Sequence, residues 1–318
     1  MSRILILGGA GFIGSHLTEH LSRSHEVEIL VVDSMIMGNN IPKAVMESKR
    51  LSLAEMDIVD ASNFRAAIEY FRPEIVWHLA ANSDIQRSAE DSNVDLRNTF
   101  GTTSALVLSL AESKIQPNQI IFSSTSAVYG NLRSKIREDS QKKPDSAYGW
   151  MKLASEFALK QFVSSLENTK LIIARFPNVT GSRQTHGVVK DLVQKYFDSR
   201  KRWEILGNGY QTKPYIHVSD LVRNLVLLAT NSKIPKEFEI NISPDDTISV
   251  REIVEIIEQK GQLNRTPHFG TTDSGWPGDV PNYMYNIRLF ESLGLSCNSS
   301  RSAIERSILE ESAKYKHE

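Results

Sequence analysis

The run Ile4-Leu5-Ile6-Leu7-Gly8-Gly9-Ala10-Gly11-Phe12-Ile13-Gly14-Ser15-His16-Leu17 constrains the fold more than any other stretch of the chain. Four consecutive aliphatic residues read as a strand buried on both faces, as in a parallel sheet. Glycines follow in two overlapping registers, Gly8-x-x-Gly11-x-x-Gly14 and Gly9-x-Gly11-x-x-Gly14. They permit a tight turn and let backbone N–H groups approach a pyrophosphate, at which the next helix aims its positive N-terminal end. A second strand, Val27–Val32, ends in Asp33. An acid about 20 residues beyond the turn stands where a ribose 2′-hydroxyl needs an acceptor. A glycine-rich turn can serve helix–strand packing alone, but that leaves Asp33 unexplained; together they predict a dinucleotide site.

Other classes are narrowed by composition. The chain has 318 residues, 40% hydrophobic and 24% charged, with a formal net charge of −1. That is an ordinary globular composition with no electrostatic reason to bind nucleic acid or an anionic membrane. The single cysteine, Cys297, excludes an intramolecular disulfide and a cysteine metal cage. His16 and His20 have a metal-compatible spacing on the first helix but no third ligand nearby, so they are read as helix-surface residues and no metal is expected. No apolar run reaches the ~18 residues of a membrane span. The chain enters its first strand almost at once, leaving no room for a signal peptide. A cytoplasmic location is expected.

Strands then alternate with helices. Leu51–Met56 ends at Asp57-Ile58, and a helix over 62–71 stops before Pro73. Glu74–Ala81 is the fourth strand, and a helical pattern covers about 92–113 with Asn98 and Gly101 on it. Gln119–Ser124 runs into Thr125–Gly130, a charged tract over 135–144 reads as a surface loop, and a helix from near Ser146 leads to Leu171–Phe176. The pattern predicts an α/β fold with a doubly wound parallel sheet, a Rossmann architecture, whose strand C-termini share one edge. Beyond it, helices are expected near 186–200, 218–229, 287–293 and 300–314, a turn-rich piece over 203–214, and a short strand at 238–242. Ser249-x-x-Glu252 is a capping box opening a helix that ends at Gly261. The expected division is a Rossmann domain, 1–176 plus about 215–242, and a smaller interrupted substrate lobe, about 177–214 and 243–318.

Tyr148-Gly-Trp-Met-Lys152 puts a phenol and an ammonium one helical turn apart on one face. A free tyrosine, with a pKa near ~10, is a poor base at neutral pH; lowering it by about three units requires ~4 kcal/mol. A nearby ammonium and a cationic nicotinamide both favour the phenolate. Such a group suits removal of a hydroxyl proton as hydride leaves the same carbon. The strand ending Ser123-Ser124-Thr125 supplies a hydroxyl to orient the reacting oxygen.

These pieces resemble the extended short-chain dehydrogenases/reductases of the nucleotide-sugar epimerase/dehydratase family. The resemblance is carried by Gly8–Gly14, Asp33, Asp57-Ile58, His78-Leu79-Ala80-Ala81, Asn98-x-x-Gly101-Thr102, Ser123–Gly130, Tyr148 with Lys152, Arg175-Phe-Pro-Asn178-Val-Thr-Gly181 and Tyr215-Ile-His-Val-Ser-Asp220. Gly278-Asp279-Val280-Pro281 extends it over nearly the whole chain. It implies that Gly8, Gly11 and Gly14 hold the pyrophosphate of NAD, with Phe12 and Ile13 also in the cofactor site, that Asp33 holds its adenosine ribose, and that Asp57 and Ile58 flank its adenine. Leu79, Ala80, Ala81, Asn98 and Ser123 would line the cofactor cleft. Tyr148 would be the base, Lys152 its partner and a nicotinamide-ribose ligand, and Thr125 the hydroxyl member of the triad. Thr125, Ser126, Asn178 and Lys213 would meet a nucleotide-diphosphate sugar. The family also implies a homodimer paired through the helices at 92–113 and 147–165.

Departures refine the reading. The family's 4,6-dehydratases follow the triad threonine with an Asp-Glu pair, but here Ser126 and Ala127 follow, so elimination is disfavoured. Trp276 stands where epimerases commonly carry an arginine for the diphosphate; either that anchor is missing or Arg183 or Lys190 supplies it, and Trp276 stacks on a base or sugar or packs internally. The resulting expectation is a nucleotide-sugar 4-epimerase working through a transient 4-keto sugar. The alternatives are a dehydrogenase or decarboxylase that releases a keto sugar, and a non-catalytic NAD-binding regulator.

Overall fold

Leu5, Ile6 and Leu7 are all buried, as a strand covered on both faces requires. The computed structural model describes residues 1–82, 91–132, 134–273, 280 and 282–315. Its main sheet comprises β1 (Ser2–Leu7), β2 (Val27–Asp33), β3 (Leu51–Glu55), β4 (Ile75–His78), β5 (Gln119–Thr125), β6 (Lys170–Phe176) and β7 (Glu237–Asn241). Their spatial order is β3-β2-β1-β4-β5-β6-β7. The pairs from β3 to β5 are parallel, with Ile4 opposite both Ile29 and Ile75. The order reverses between β1 and β4, which opens a crevice at the strand C-termini. The Rossmann-like α/β fold is therefore present.

The helices α1 (Phe12–Ser22), α2 (Ala61–Phe71), α3 (Gly101–Glu112) and α4 (Ala147–Ser164) belong to this sheet. Leu5 and Leu7 share a core with Phe64 and Ile68 of α2, Leu106 and Leu110 of α3, and Leu159 and Val163 of α4. The helix expected over 92–113 has three parts: a turn at Asn93–Asp95, a π-helical turn at Leu96–Phe100, then α3.

The chain divides into two compact units. One holds Met1–Val128, Ser146–Arg175 and Leu225–Ile240; the other holds Tyr129–Asp145, Phe176–Asn224 and Asn241–Glu318. In the second, Val193, Tyr196, Trp203, Ile253 and Ile304 form the core. The capping box is present: Ser249 Oγ accepts from the Glu252 amide at 3.2 Å, and Glu252 Oε2 accepts from the Ser249 amide at 2.9 Å. Three expectations need correction. The tract 135–144 is not simply surface, because Ile136 is buried and exchanges backbone bonds with Met284 and Asn286, each 2.8 Å. The turn-rich piece contains short strands, Trp203–Ile205 and Thr212–Lys213. The helix expected over 186–200 spans only Val188–Phe197, since Gly187 at φ 118 sets its start. Trp276, Gly278, Asp279 and Pro281 lie outside the described residues.

Candidate active site

The glycine turn joins β1 to α1. A Cβ on Gly14 would sit 2.0 Å from Gly8 O, and one on Gly8, at φ +75, 2.8 Å from the Ala80 amide nitrogen. Only glycine fits these two positions. Gly11 precedes α1 as its N-cap, and Phe12 and Ile13 open the helix. Asp33, at the end of β2, accepts from the Ala10 amide at 2.9 Å through one oxygen and from the Met35 amide at 3.0 Å through the other. The carboxylate thus ties the turn to the strand end and keeps further lone pairs for a ribose hydroxyl. The tight cradle and the acid beside it fit an NAD site.

Leu79, Ala80 and Ala81 follow β4, with the Leu79 amide bonded to Leu7 O at 2.9 Å. Thr102 Oγ1 donates to Ala80 O at 3.3 Å. Asn98 lies on the π turn and accepts from Arg97 Nη1 at 3.2 Å. The Arg97 guanidinium also pairs with Asp57 at 2.5 Å. Ile58 buries its side chain in the sheet core, so only its backbone is left to face a cofactor.

The chemistry gathers where β5 meets α4. Ser146 caps α4 by accepting from the Gly149 amide at 3.2 Å, which sets the helix start just ahead of Tyr148. Lys152 is buried; its Nζ donates to Ser123 O at 2.7 Å and lies 4.7 Å from the Phe122 ring centroid and 6.0 Å from that of Tyr148. Thr125 hydrogen-bonds with Tyr148 and accepts from the Ala127 amide at 3.2 Å. Ser123 donates to His78 O at 3.1 Å. The structure thus brings Ser123, Thr125, Tyr148 and Lys152 together as expected, with Ser126 next in chain.

Charge in the site differs from the simple expectation. Burial pushes the Tyr148 phenol above its ordinary value, the Asp95 carboxylate adds to the rise, and the bond with Thr125 opposes it. The lowering expected from Lys152 does not prevail in the protein chain alone. Burial also brings Lys152 down to about 7, against Glu156 and Asp95, which favour its charged form. His78, bonded to Thr103 Oγ1 at 2.8 Å, is held down at about 3 by burial, with Lys152 adding to the effect.

Two buried acids at this site escaped the sequence reading. Glu156 follows Lys152 by one more turn on the same stripe of α4, a spacing that could have exposed it. Asp95 gave no such signal. The remaining candidates belong to the second unit: Asn178 is exposed on the strand Asn178–Thr180, while Lys213, Arg183 and Lys190 are half-buried.

Comparison with known proteins agrees with this architecture. Residues 4–243 match the sequence model of the NAD dependent epimerase/dehydratase family. The chain is 30% identical over 302 residues to a putative UDP-glucose 4-epimerase of Methanocaldococcus jannaschii, covering 92% of each. It is 29% identical over 270 residues to a UDP-N-acetyl-alpha-D-glucosaminuronate decarboxylase of Bacillus cytotoxicus, covering 81% of this chain and 79% of that one. Among solved structures, MoeE5 in complex with UDP-glucuronic acid and NAD has a TM-score of 0.84 and 26% identity, over 98% of this chain and 99% of that one. With the glycine cradle, the acid after β2 and the Tyr148–Lys152 pair on one scaffold, the chain belongs to the NAD dependent epimerase/dehydratase family.

Proposed function

We propose that the protein is a nucleotide-sugar 4-epimerase, oxidising C4 of the sugar transiently and returning the hydride to the opposite face. The observation that carries this reading is the meeting of Thr125, Tyr148 and Lys152 at one strand end, with Ser126 and Ala127 beside them. Bound NAD⁺ supplies the hydride acceptor and, once reduced, the donor. Gly8, Gly11 and Gly14 hold its pyrophosphate with Phe12 and Ile13 at the helix start, Asp33 its ribose, and Asp57 and the Ile58 backbone its adenine; Leu79, Ala80, Ala81 and Asn98 line the cleft.

Tyr148 takes the C4 hydroxyl proton and later returns it, while Thr125 hydrogen-bonds the same oxygen and fixes its direction. Lys152, anchored by Ser123 O, places a cation beside the phenol. Burial raises the phenol in the chain alone, so a further positive charge beside Lys152 would favour the phenolate. Base activation is thereby tied to cofactor binding. Asn178 and Lys213 contact the sugar and the diphosphate. Neither Ser126 nor Ala127 titrates, so no acid–base pair follows Thr125 to eliminate water, which favours epimerisation over dehydration. The decarboxylase relative keeps a second reading open, in which the same first oxidation leads to a released keto sugar.

Two copies pair through α3 and α4. Leu108, Trp150 and Phe157 are exposed there, and Trp150 and Phe157 lie two turns apart on the face of α4 opposite Lys152. The function is tested by incubating the protein with UDP-glucose, UDP-glucuronic acid and their N-acetylated counterparts and following inversion at C4 by NMR. Inversion of one of them by the wild type, and a ~10²-fold or greater loss in Tyr148→Phe, is expected. Near-normal turnover in that variant overturns the assignment of the base.

A further inference from the structure

Asp95 is fully buried, while its neighbour Leu96 is 52% exposed. Hydropathy alone would arrange these two residues the other way round. Among the described residues the Asp95 partners are neutral: Oδ1 accepts from Asn82 Nδ2 at 3.0 Å and from Thr99 Oγ1 at 3.3 Å. Oδ2 is buried with no hydrogen-bond partner among the described residues. Burying a carboxylate without a cation bonded to it is costly, so stability does not explain its presence. The turn that carries it packs on α4, and its charge reaches both Tyr148 and Lys152.

We propose that Asp95 is a positioning residue for the reaction: its buried carboxylate is the fixed negative charge against which the Tyr148–Lys152 pair works, so that the phenolate forms only with the cofactor's positive charge in place. This deepens the reading of Tyr148 as the base and rests on it. Among the described residues, the other charged groups around the pair are already balanced. Glu156 on α4 receives two bonds from Arg175 on β6, at 2.7 and 2.6 Å. Glu239 on β7 is shared by Arg175 and Lys160. Arg97, on the next turn, pairs outward with Asp57. His78 on β4 stays neutral above about 3. Among the described residues, Asp95 is left as the carboxylate at this site with no ion pair.

The signs follow from electrostatics. Removing a negative charge favours the phenolate of Tyr148 and disfavours the ammonium of Lys152. In Asp95→Asn holoenzyme the acid and alkaline limbs of the kcat profile therefore both move to lower pH, each by roughly one unit, the scale of one charge acting through a partly polar interior. A residue that only supports packing lowers kcat with its limbs fixed. A direct readout is the Tyr148 part of the tyrosinate absorbance, taken as the difference between NAD-loaded protein and its Tyr148→Phe counterpart, titrated in the wild-type and Asp95→Asn backgrounds. Its midpoint is expected to fall by the same amount in Asp95→Asn and to stay near the wild-type value in Asp95→Glu, which keeps the charge. A midpoint that holds or rises in Asp95→Asn overturns the inference. Should the amide variant fail to fold, Asp95→Ser, smaller and neutral, carries the same titration. The base assignment fails separately, by normal turnover in Tyr148→Phe, and the absorbance titration still decides the role of Asp95.

Discussion

Ser124 on β5 donates its hydroxyl to Glu156 on α4 across 2.5 Å. Ser124 precedes Thr125, and Glu156 lies one turn beyond Lys152. With the bond from Lys152 to Ser123 O, the Ser124–Glu156 bond fastens the strand end to the helix, and with them the two sides of the proposed catalytic group. Glu156 is held from behind by Arg175, which is fully buried and also reaches Glu239. Glu156→Ala strips the guanidinium of a carboxylate that it binds in the interior. Breaking a buried pair in this way costs about 3–5 kcal/mol. Urea unfolding should show a loss of that size, whereas Ser124→Ala should cost about 1.5–3 kcal/mol, the worth of one hydrogen bond to a charged group, because Glu156 Oε1 keeps its bond from Arg175.

Acid should weaken the fold through two carboxylates. Burial pushes Glu239 up, but Arg175 and Lys160 outweigh it and bring the group from 4.5 to about 2. In the second unit, burial likewise pushes Glu310 up, while His217 and Arg306 bring it from 4.5 to about 2. A carboxylate lowered on folding stabilises above its unfolded value, and that contribution is lost as pH falls through the folded one. Stability should hold above 4.5 and decline toward 2. In Glu310→Gln the decline between those limits should be shallower, as read by denaturant titrations at successive pH values.

Cofactor choice should rest on Asp33. Its charge opposes a 2′-phosphate, and Ser34 and Met35 follow it in place of an arginine. The protein should bind NAD⁺ more tightly than NADP⁺ in a fluorescence titration. Asp33→Asn keeps an oxygen for one backbone amide but removes the charge, so the preference should narrow. Equal affinities in the wild type would remove Asp33 from this role.

The outward face of α4 should govern assembly. Phe157 is 62% exposed and Trp150 50% exposed. Phe157→Glu places a charge where a second copy would bury an aromatic ring. Sedimentation should show a dimer for the wild type and a single chain for the variant, with catalytic geometry kept because Phe157 points away from Lys152. A wild type that sediments as one chain contradicts the pairing.

Much of this was legible because its chemistry is local in sequence. Gly8 and Gly14 are fixed by backbone contacts that no side chain tolerates, and Tyr148 and Lys152 share a face through helical spacing alone. Other features depend on distant elements meeting. The Ser124–Glu156–Arg175–Glu239 chain draws on two strands before its last member, with α4 between them, and no short pattern announces it. Asp95 was hidden because a π turn follows it and inverts the usual preference, burying the acid and exposing Leu96. The raised phenol of Tyr148 depends on how deeply the site is enclosed, a property that the Tyr-x-x-x-Lys spacing does not carry.

The fate of the hydrogen at C4 separates epimerisation from net oxidation. A nucleotide sugar deuterated at C4 is incubated with the protein as purified, without added NAD⁺, and the products are read by NMR and mass spectrometry. The predicted result is a sugar inverted at C4 that retains its deuterium, with no stoichiometric rise in NADH absorbance. Loss of deuterium from the sugar, with a keto product accumulating, would contradict the 4-epimerase reading and identify a dehydrogenase-type reaction instead.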